Sequence, residues 1–411
     1  MLSLRGDLIM QLPLSVLNRM HKLAIITTHP IQYYAPVFKQ MTNRGINCKV
    51  FYTWGKDGLQ GKYDPNFGKT IEWDIPLLEG YEYAFCENIA AQPGSHHFKG
   101  IMNPHLIASI KAYGATYILV FGWNFQSHLK VLRHFKGKVP ILFRGDSTLL
   151  DAVSLHKKIL RKLILTWVYK HVDIALYVGE ANKQYYKYCG LKEQQLVFAP
   201  HAIDNDRFAQ LATTQEDFIH QTHAQFGVQA NDIAIVFCGK FQPKKNPLLL
   251  ITAFKNLNMP NTHLFMVGNG ELEDALRKQA EGFANIHFLP FQNQSLMPAV
   301  YRLGQIFCLP SQGPGETWGL AVNEAMACSR AVLVSNKCGC ATNLVSNGVN
   351  GFVFETNDLQ SLTDKLNLLL VNKDQLVEMG KASYNMIQDW SFDAIVDGVE
   401  EGLRRGLKLK V

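Results

Sequence analysis

Leu23–Thr27 reads as a buried strand and leads at once into the polar loop Thr28-His29-Pro30-Ile31-Gln32-Tyr33-Tyr34, then into a helical pattern through Met41. That unit recurs, and it restricts the fold more than anything else in the chain. Further runs of the same kind are Cys48–Thr53, Tyr117–Gly122, Val139–Arg144 and Asp173–Val178, then Ile233–Gly239, His263–Val267, Ile286–Phe291, Ile306–Leu309 and Ala331–Ser335. Strands buried on both faces give short continuous apolar runs, and their alternation with helices is the plan of a parallel, doubly wound sheet. The 411 residues are too many for one ordinary core and suggest two domains of similar size.

Ligands of such sheets bind beyond the carboxyl ends of the strands, so the loops there carry the chemical information. After the first strand the polar groups are His29 and Gln32. They point inward in one reading; in the other His29 merely caps the next helix. A more informative loop follows Ile306–Leu309. Pro310 ends the strand, Gly313, Pro314 and Gly315 force an irregular path, and Leu320, Val322, Ala325 and Met326 then recur at helical spacing. A helix starting near Thr317 or Gly319 turns free N–H groups and the positive end of its dipole towards a ligand, so an anion is expected there, a phosphate above all. Glu316 and Glu324 stand on either side, eight residues apart. A wholly helical interval would separate them by roughly 12 Å, whereas hydrolytic carboxylate pairs sit about 5–5.5 or 6.5–9.5 Å apart. The spacing suits a ligand with hydroxyls at both ends and phosphates between, such as a nucleotide sugar. The plainer alternative is a loop charge and a solvated helix residue.

Glu316-x7-Glu324 with its Ala-Met-Ala helix resembles the signature of the retaining glycosyltransferases of family 4. The resemblance implies an α/β GT-B fold, two Rossmann-like doubly wound domains facing across a cleft. It places a nucleotide-sugar-binding domain over 206–388, an acceptor domain over 20–205, and a C-terminal helix over 389–411 that crosses back. It covers roughly residues 165–411 well and the earlier part mainly by architecture. Gly239-Lys240-Phe241-Gln242-Pro243-Lys244-Lys245 is similar to the segment whose two cations hold the donor diphosphate, with Lys240 and Lys245 at those positions. Two positive charges after a strand and before a helix suit phosphate oxygens, although lysine at 240 lacks the bidentate geometry of arginine. By the same resemblance Glu316 holds the donor sugar, and Glu324 the ribose hydroxyls. The backbone of Thr317, Trp318, Gly319 and Leu320 meets phosphate, Gly268 and Asn269 form a turn near the donor, and Phe291 ends the segment that meets the base. Pro200–Phe208 resembles the junction between the domains, with His201-Ala202 replacing Asn-Gly. Its Asp204 and Asp206 are then hinge residues and not metal ligands. Leu344–Phe354 resembles the closing strand. Two departures stand out: no glycine-rich loop follows the first strand, and Arg144-Gly145-Asp146 occupies the place of a His or His-Asp. Arg144 and Asp146 join His29 and Gln32 as acceptor-side candidates.

Charge is uneven. Residues 1–204 hold 24 Lys and Arg against 14 Asp and Glu, and the remainder 17 against 20, within a total of +7. A basic first half suits anionic lipid, an acidic acceptor or nucleic acid, or is an ordinary solvated surface. His156–His171 forms a basic amphipathic pattern with Lys157, Lys158, Arg161, Lys162 and Lys170. It fits an anionic membrane surface or a normal structural place in this fold. Nucleic acid lacks its companion finger or RRM-type motif. The eight cysteines form no disulfide framework, as expected of a reducing cytoplasm, and Cys338-Gly-Cys340 has no second pair to complete a zinc site. No run reaches the length of a spanning helix, and residues 1–19 fit neither signal peptide nor span, reading as an N-terminal extension.

The expectation is an EC 2.4 enzyme of the cytoplasm, or peripheral on the inner membrane face. It would move a sugar from a nucleotide-diphosphate sugar to a glycan or lipid-linked acceptor in surface-polysaccharide synthesis, with no metal or other cofactor. Two alternatives are a GT-B nucleotide-sugar epimerase and a non-catalytic nucleotide-sugar-binding protein.

Overall fold

The computed structural model describes residues 21–408 apart from 57–61, 65–68, 72–73 and 152–153. The extension read over 1–19 lies outside the described residues. The chain forms two compact units: residues up to Gln60, Pro76–Pro200 and those from Phe392 onward make one, and His201–Ser391 with the 61–75 segment the other.

In the first unit, strands β1 (Leu23–Thr27), β2 (Cys48–Tyr52), β5 (Glu82–Phe85), β6 (Tyr117–Phe121), β7 (Ile141–Arg144), β8 (Ile174–Tyr177) and β9 (Leu196–Phe198) form a parallel sheet in the order β5-β2-β1-β6-β7-β8-β9. The short antiparallel pair β3 (Lys62–Asp64) and β4 (Lys69–Ile71) groups with the second unit, where the nearby Asp74 carboxylate accepts the Ser295 N–H. The second sheet orders β10 (Ile233–Cys238), β11 (Thr262–Val267), β12 (Ile286–Leu289), β13 (Ile306–Leu309), β14 (Ala331–Ser335) and β15 (Gly351–Phe354) as β12-β11-β10-β13-β14-β15, again all parallel. Every residue of β1, β11, β13 and β14 is buried, as strands covered by helices on both faces require. Besides the short β3–β4 pair, two strands of the main sheets were not legible. Asp173–Val178 is not the last of its half, because three-residue β9 follows, and β5 (Glu-Tyr-Ala-Phe) is an exposed edge without an apolar run.

Strand order reverses direction between β1 and β6 in the first sheet, and between β10 and β13 in the second. A parallel sheet opens a crevice at such a point, between loops that leave adjacent strands in opposite directions. The loop after β1 carries His29; those after β10 and β13 carry Lys245 and Glu316.

The Phe392–Lys408 helix returns the chain to the first unit and packs on β7, β8 and β9. Gly398, Gly402 and Gly406 recur every fourth residue on its buried side. A Cβ at Gly398 would stand 2.3 Å from the Phe198 carbonyl oxygen, so only glycine permits that approach. On the same helix Asp393 and Asp397 pair with Arg44, at the end of the Ala35–Asn43 helix.

Candidate active site

In the second unit the loops after β10 and β13 are laced together. The Gln312 N–H donates to the Lys244 carbonyl at 2.8 Å, and its side-chain amide to the Pro243 carbonyl at 2.7 Å. That lacing brings Lys245 Nζ to 2.6 Å from Glu316 Oε2, which also accepts the Ser311 hydroxyl at 2.9 Å. Glu316 is only 9% exposed. Burial by itself would raise its carboxyl pKa, but the Lys245 ammonium outweighs it, helped by the Ser311 hydroxyl and Lys244, and holds the group below the usual carboxylate value. Glu316 is therefore an anion at neutral pH.

The helix beyond it runs Leu320–Ala327, with Gly319 as its N-cap at φ +98°. A Cβ on Gly319 would lie 3.8 Å from Glu316 Oε1, so the carboxylate sits at the mouth of this helix. The first N–H groups of any helix lack intrahelical partners and carry the positive end of its dipole. Lysine, carboxylate and helix mouth thus meet at one place.

Cys338-Gly339-Cys340 braces the loop from behind. The Gly339 N–H donates to the Glu316 carbonyl at 3.1 Å, and the Cys340 N–H to the Trp318 carbonyl at 3.0 Å. A Cβ at 339 would be 1.7 Å from the Thr317 carbonyl oxygen, which explains the glycine between the two cysteines. The Trp318 indole is buried and donates to Asn323 Oδ1 at 2.8 Å, while the Asn323 amide donates to the His201 carbonyl at 3.1 Å. Trp318 thus holds the loop through its ring and has only its backbone to offer a ligand.

Glu324 is 3% exposed and accepts the Tyr301 hydroxyl at 2.6 Å, which removes the solvated-helix alternative. Burial and the neighbouring Glu324 push the Cys238 thiol up to about 12 against the pull of Lys245, so both charges reach the end of β10. Lys240 lies on the same loop, just after Gly239. A Cβ at Gly268 would be 2.0 Å from the Gly239 carbonyl oxygen, so that glycine serves close packing of the cation loop on its neighbour. Asn269 accepts the Phe291 N–H at 2.9 Å and donates to Glu273 at 2.9 Å, tying the turn after β11 to the segment after β12. Asp204 accepts the Arg207 N–H at 3.0 Å as N-cap of the Asn205–Ala209 helix.

In the first unit His29 stands at the end of β1, its Nδ1 2.9 Å from the Thr28 hydroxyl and its ring edge-on to Trp54 at 5.0 Å. The next helix starts at Ala35 with Tyr34 as N-cap, so His29 does not cap it. Gln32 lies between, in the same loop, half-buried. Asp146 lines a cavity of about 610 Å³ with Asn124 and Gly145, beyond β6 and β7. Arg144 is turned inward instead. It is 2% exposed and donates to the carbonyls of Ala199 and Pro200 at 2.6 and 2.7 Å. His128 went unnoticed in the sequence because nothing local marks it. Its Nδ1 faces the carbonyls of Phe121 and Gly122 at 3.1 and 3.0 Å, and its Nε2 the Thr53 hydroxyl at 2.8 Å, so one ring ties the ends of β2 and β6.

Residues 218–386, the greater part of the second unit, match the family model of glycosyl transferases group 1. An uncharacterized glycosyltransferase of Haemophilus influenzae is 30% identical over 141 residues, 34% of this chain and 39% of that one. The UDP-Gal:alpha-D-GlcNAc-diphosphoundecaprenol alpha-1,3-galactosyltransferase of Escherichia coli is 29% identical over 175 residues, 41% of this chain and 43% of that one. The chain spans about two fifths of the length of these curated relatives. The crystal structure of Anabaena HepE in complex with UDP and glucose superposes with a TM-score of 0.67 at 17% identity, over 93% of this chain and 98% of that one. The fold, two Rossmann-like units, is that of the GT-B glycosyltransferases.

Proposed function

We propose that the protein is a retaining glycosyltransferase using a nucleotide-diphosphate sugar, and that the loops after β10 and β13 hold its donor. The observation that carries the reading is the pairing of Lys245 with the buried Glu316 carboxylate at the mouth of the Leu320–Ala327 helix. Lys240, Lys245 and the N–H groups from Thr317 to Leu320 stabilise the charge that grows on the departing diphosphate, as preorganised electrostatics. Lys245 turns from Glu316 towards phosphate when donor enters. Glu316 then holds the sugar hydroxyls and stabilises positive charge developing at the anomeric carbon. Glu324, held by Tyr301, takes the ribose hydroxyls, while Gly268, Asn269 and Phe291 shape the base end. The leaving phosphate accepts the acceptor's proton on the same face, which retains configuration.

His29, Gln32 and Asp146 serve the acceptor, and Arg144 acts on it only by positioning the chain where it leaves β9. The acceptor is a glycan or lipid-linked glycan of surface-polysaccharide assembly, a reading supported by the diphosphoundecaprenol substrate in the name of the E. coli relative. We assign charge neutralisation to the protein's own cations, with no metal taking part. The site of action is the cytoplasm or the inner membrane face; among the described residues no helix is long and apolar enough to cross a membrane.

The test is product analysis with labelled UDP-, GDP- and ADP-sugars, with and without acceptor glycans and with EDTA. Sugar transferred with its anomeric configuration kept, and unaffected by EDTA, is the expected result. Interconversion of the sugar nucleotide without acceptor would instead establish the epimerase. Donor binding without turnover would establish the non-catalytic protein.

A further inference from the structure

The Leu155–Tyr169 helix turns an apolar face to solvent. Leu165, Val168 and Tyr169 are buried in the first unit, whereas Leu155, Ile159, Leu160, Leu163, Ile164 and Trp167 are 68%, 54%, 60%, 66%, 46% and 39% exposed. With about 3.6 residues per turn, Leu155, Ile159, Leu163 and Trp167 follow one line, with Leu160 and Ile164 beside it. Together they cover about half of the helix surface, the half away from the buried three. Lys157 borders this strip on one side and Lys162 on the other, Arg161 and Lys158 follow further round the helix, and the helix contains no acid. More cations gather at its C-terminal end, where Lys170 and the Arg133 guanidinium lie 6.0 and 5.6 Å from the Trp167 ring. Leu155, Ile159, Leu163 and Trp167 also line an open groove of about 590 Å³ with Lys158 and Lys162.

We infer that this helix lies in the plane of an anionic lipid bilayer, its apolar strip among the acyl chains and its lysines at the headgroups. Charge selects this occupant. A second copy of the chain on the same face would set two rows of cations against each other, and a nucleic acid would leave six large apolar side chains uncovered. One edge of the helix (Lys157, Leu160, Arg161 and Ile164) also lines the cavity that holds Asp146. The docked helix therefore brings that cavity to the membrane surface, where a lipid-linked acceptor would be found. This last consequence rests on the transferase reading; the docking itself does not.

The experiment is co-sedimentation of the full chain with vesicles of phosphatidylcholine alone, and with about 30 mol% phosphatidylglycerol, at low and high salt. The wild type is expected to bind the anionic vesicles about tenfold more tightly and to lose that preference at high salt. Ile159→Glu/Leu163→Glu should abolish binding with the melting temperature unchanged, since both side chains are exposed. Lys158→Glu/Lys162→Glu should remove only the preference for anionic lipid. Equal binding to both vesicles, or wild-type binding by the apolar double variant, would overturn the proposal. So would a lipid-free dimer that the apolar variant dissociates. No readout involves a sugar nucleotide, so failure here is distinct from failure of the transferase.

Discussion

Glu316 bears two burdens at once, and a single substitution separates them. Glu316→Gln keeps the shape and loses the charge, so Lys245 loses a buried ionic partner while Ser311 keeps an acceptor. Removing a charged hydrogen-bond partner costs about 1.5–3 kcal/mol, so urea unfolding should show a loss of that order. Transfer should fall more steeply, about 10²–10³-fold in kcat, the scale of losing one preorganised electrostatic group. A variant destabilised but fully active would make Glu316 a structural residue only. Behind it, Gly339→Ala forces a methyl against the Thr317 carbonyl. The expected result is about 1–3 kcal/mol of instability together with weakened donor binding, measured by unfolding and by calorimetry. Lys245 and Glu316 were legible because charge types at fixed spacing after a strand are local signals. Tyr301 beneath Glu324 was not, for a partner 23 residues away leaves no mark in local pattern. The inward turn of Arg144 was hidden for the same reason, since the direction of a side chain is decided by tertiary packing.

The elements that set these residues in place make their own predictions. His128 is buried, and that burial holds its pKa down at about 4 despite carbonyls from Phe121 and Gly122 that favour the cation. Between about pH 6.5 and 4 the unfolded chain binds a proton that the folded chain does not, so stability is complete above the unfolded value and declines as pH falls. The loss attributable to this group by pH 5 is about 2 kcal/mol. Urea midpoints at pH 7.5 and 5 should differ accordingly, and His128→Asn should flatten that part of the difference. On the returning helix, Gly398→Val drives a side chain into the Phe198 carbonyl and should cost about 1–3 kcal/mol, read from the same curves. Strands such as β1, β13 and β14 could be read from sequence because burial on both faces leaves no polar alternation. β5 and β9 could not: both are edges, β5 without a buried residue and β9 only three residues long. The apolar face of Leu155–Tyr169 was legible as composition, but its turning towards solvent was not, since periodicity cannot tell which side of a helix the core takes.

The same design appears in each unit, a parallel sheet whose strand order reverses beside the loops that hold His29 in one and Lys245 and Glu316 in the other. That much follows from alternation of elements and from charge. On the proposed reading the choice of sugar nucleotide would rest on the backbone around Asn269 and Phe291, where no residue type encodes it. Under the proposed function Lys245 and Glu316, at the mouth of one helix, form a seat for an activated sugar. Melting temperatures of the wild type and Lys245→Ala with saturating UDP-, GDP- and ADP-sugars test it most directly. Ligand at about a hundred times Kd adds about 2.7 kcal/mol, enough to raise the wild-type melting temperature by about 5–10 °C. Such a rise is expected for one nucleotide class, and its loss in Lys245→Ala. An equal rise in the variant, or a well-folded wild type that no sugar nucleotide stabilises, would contradict the proposed function.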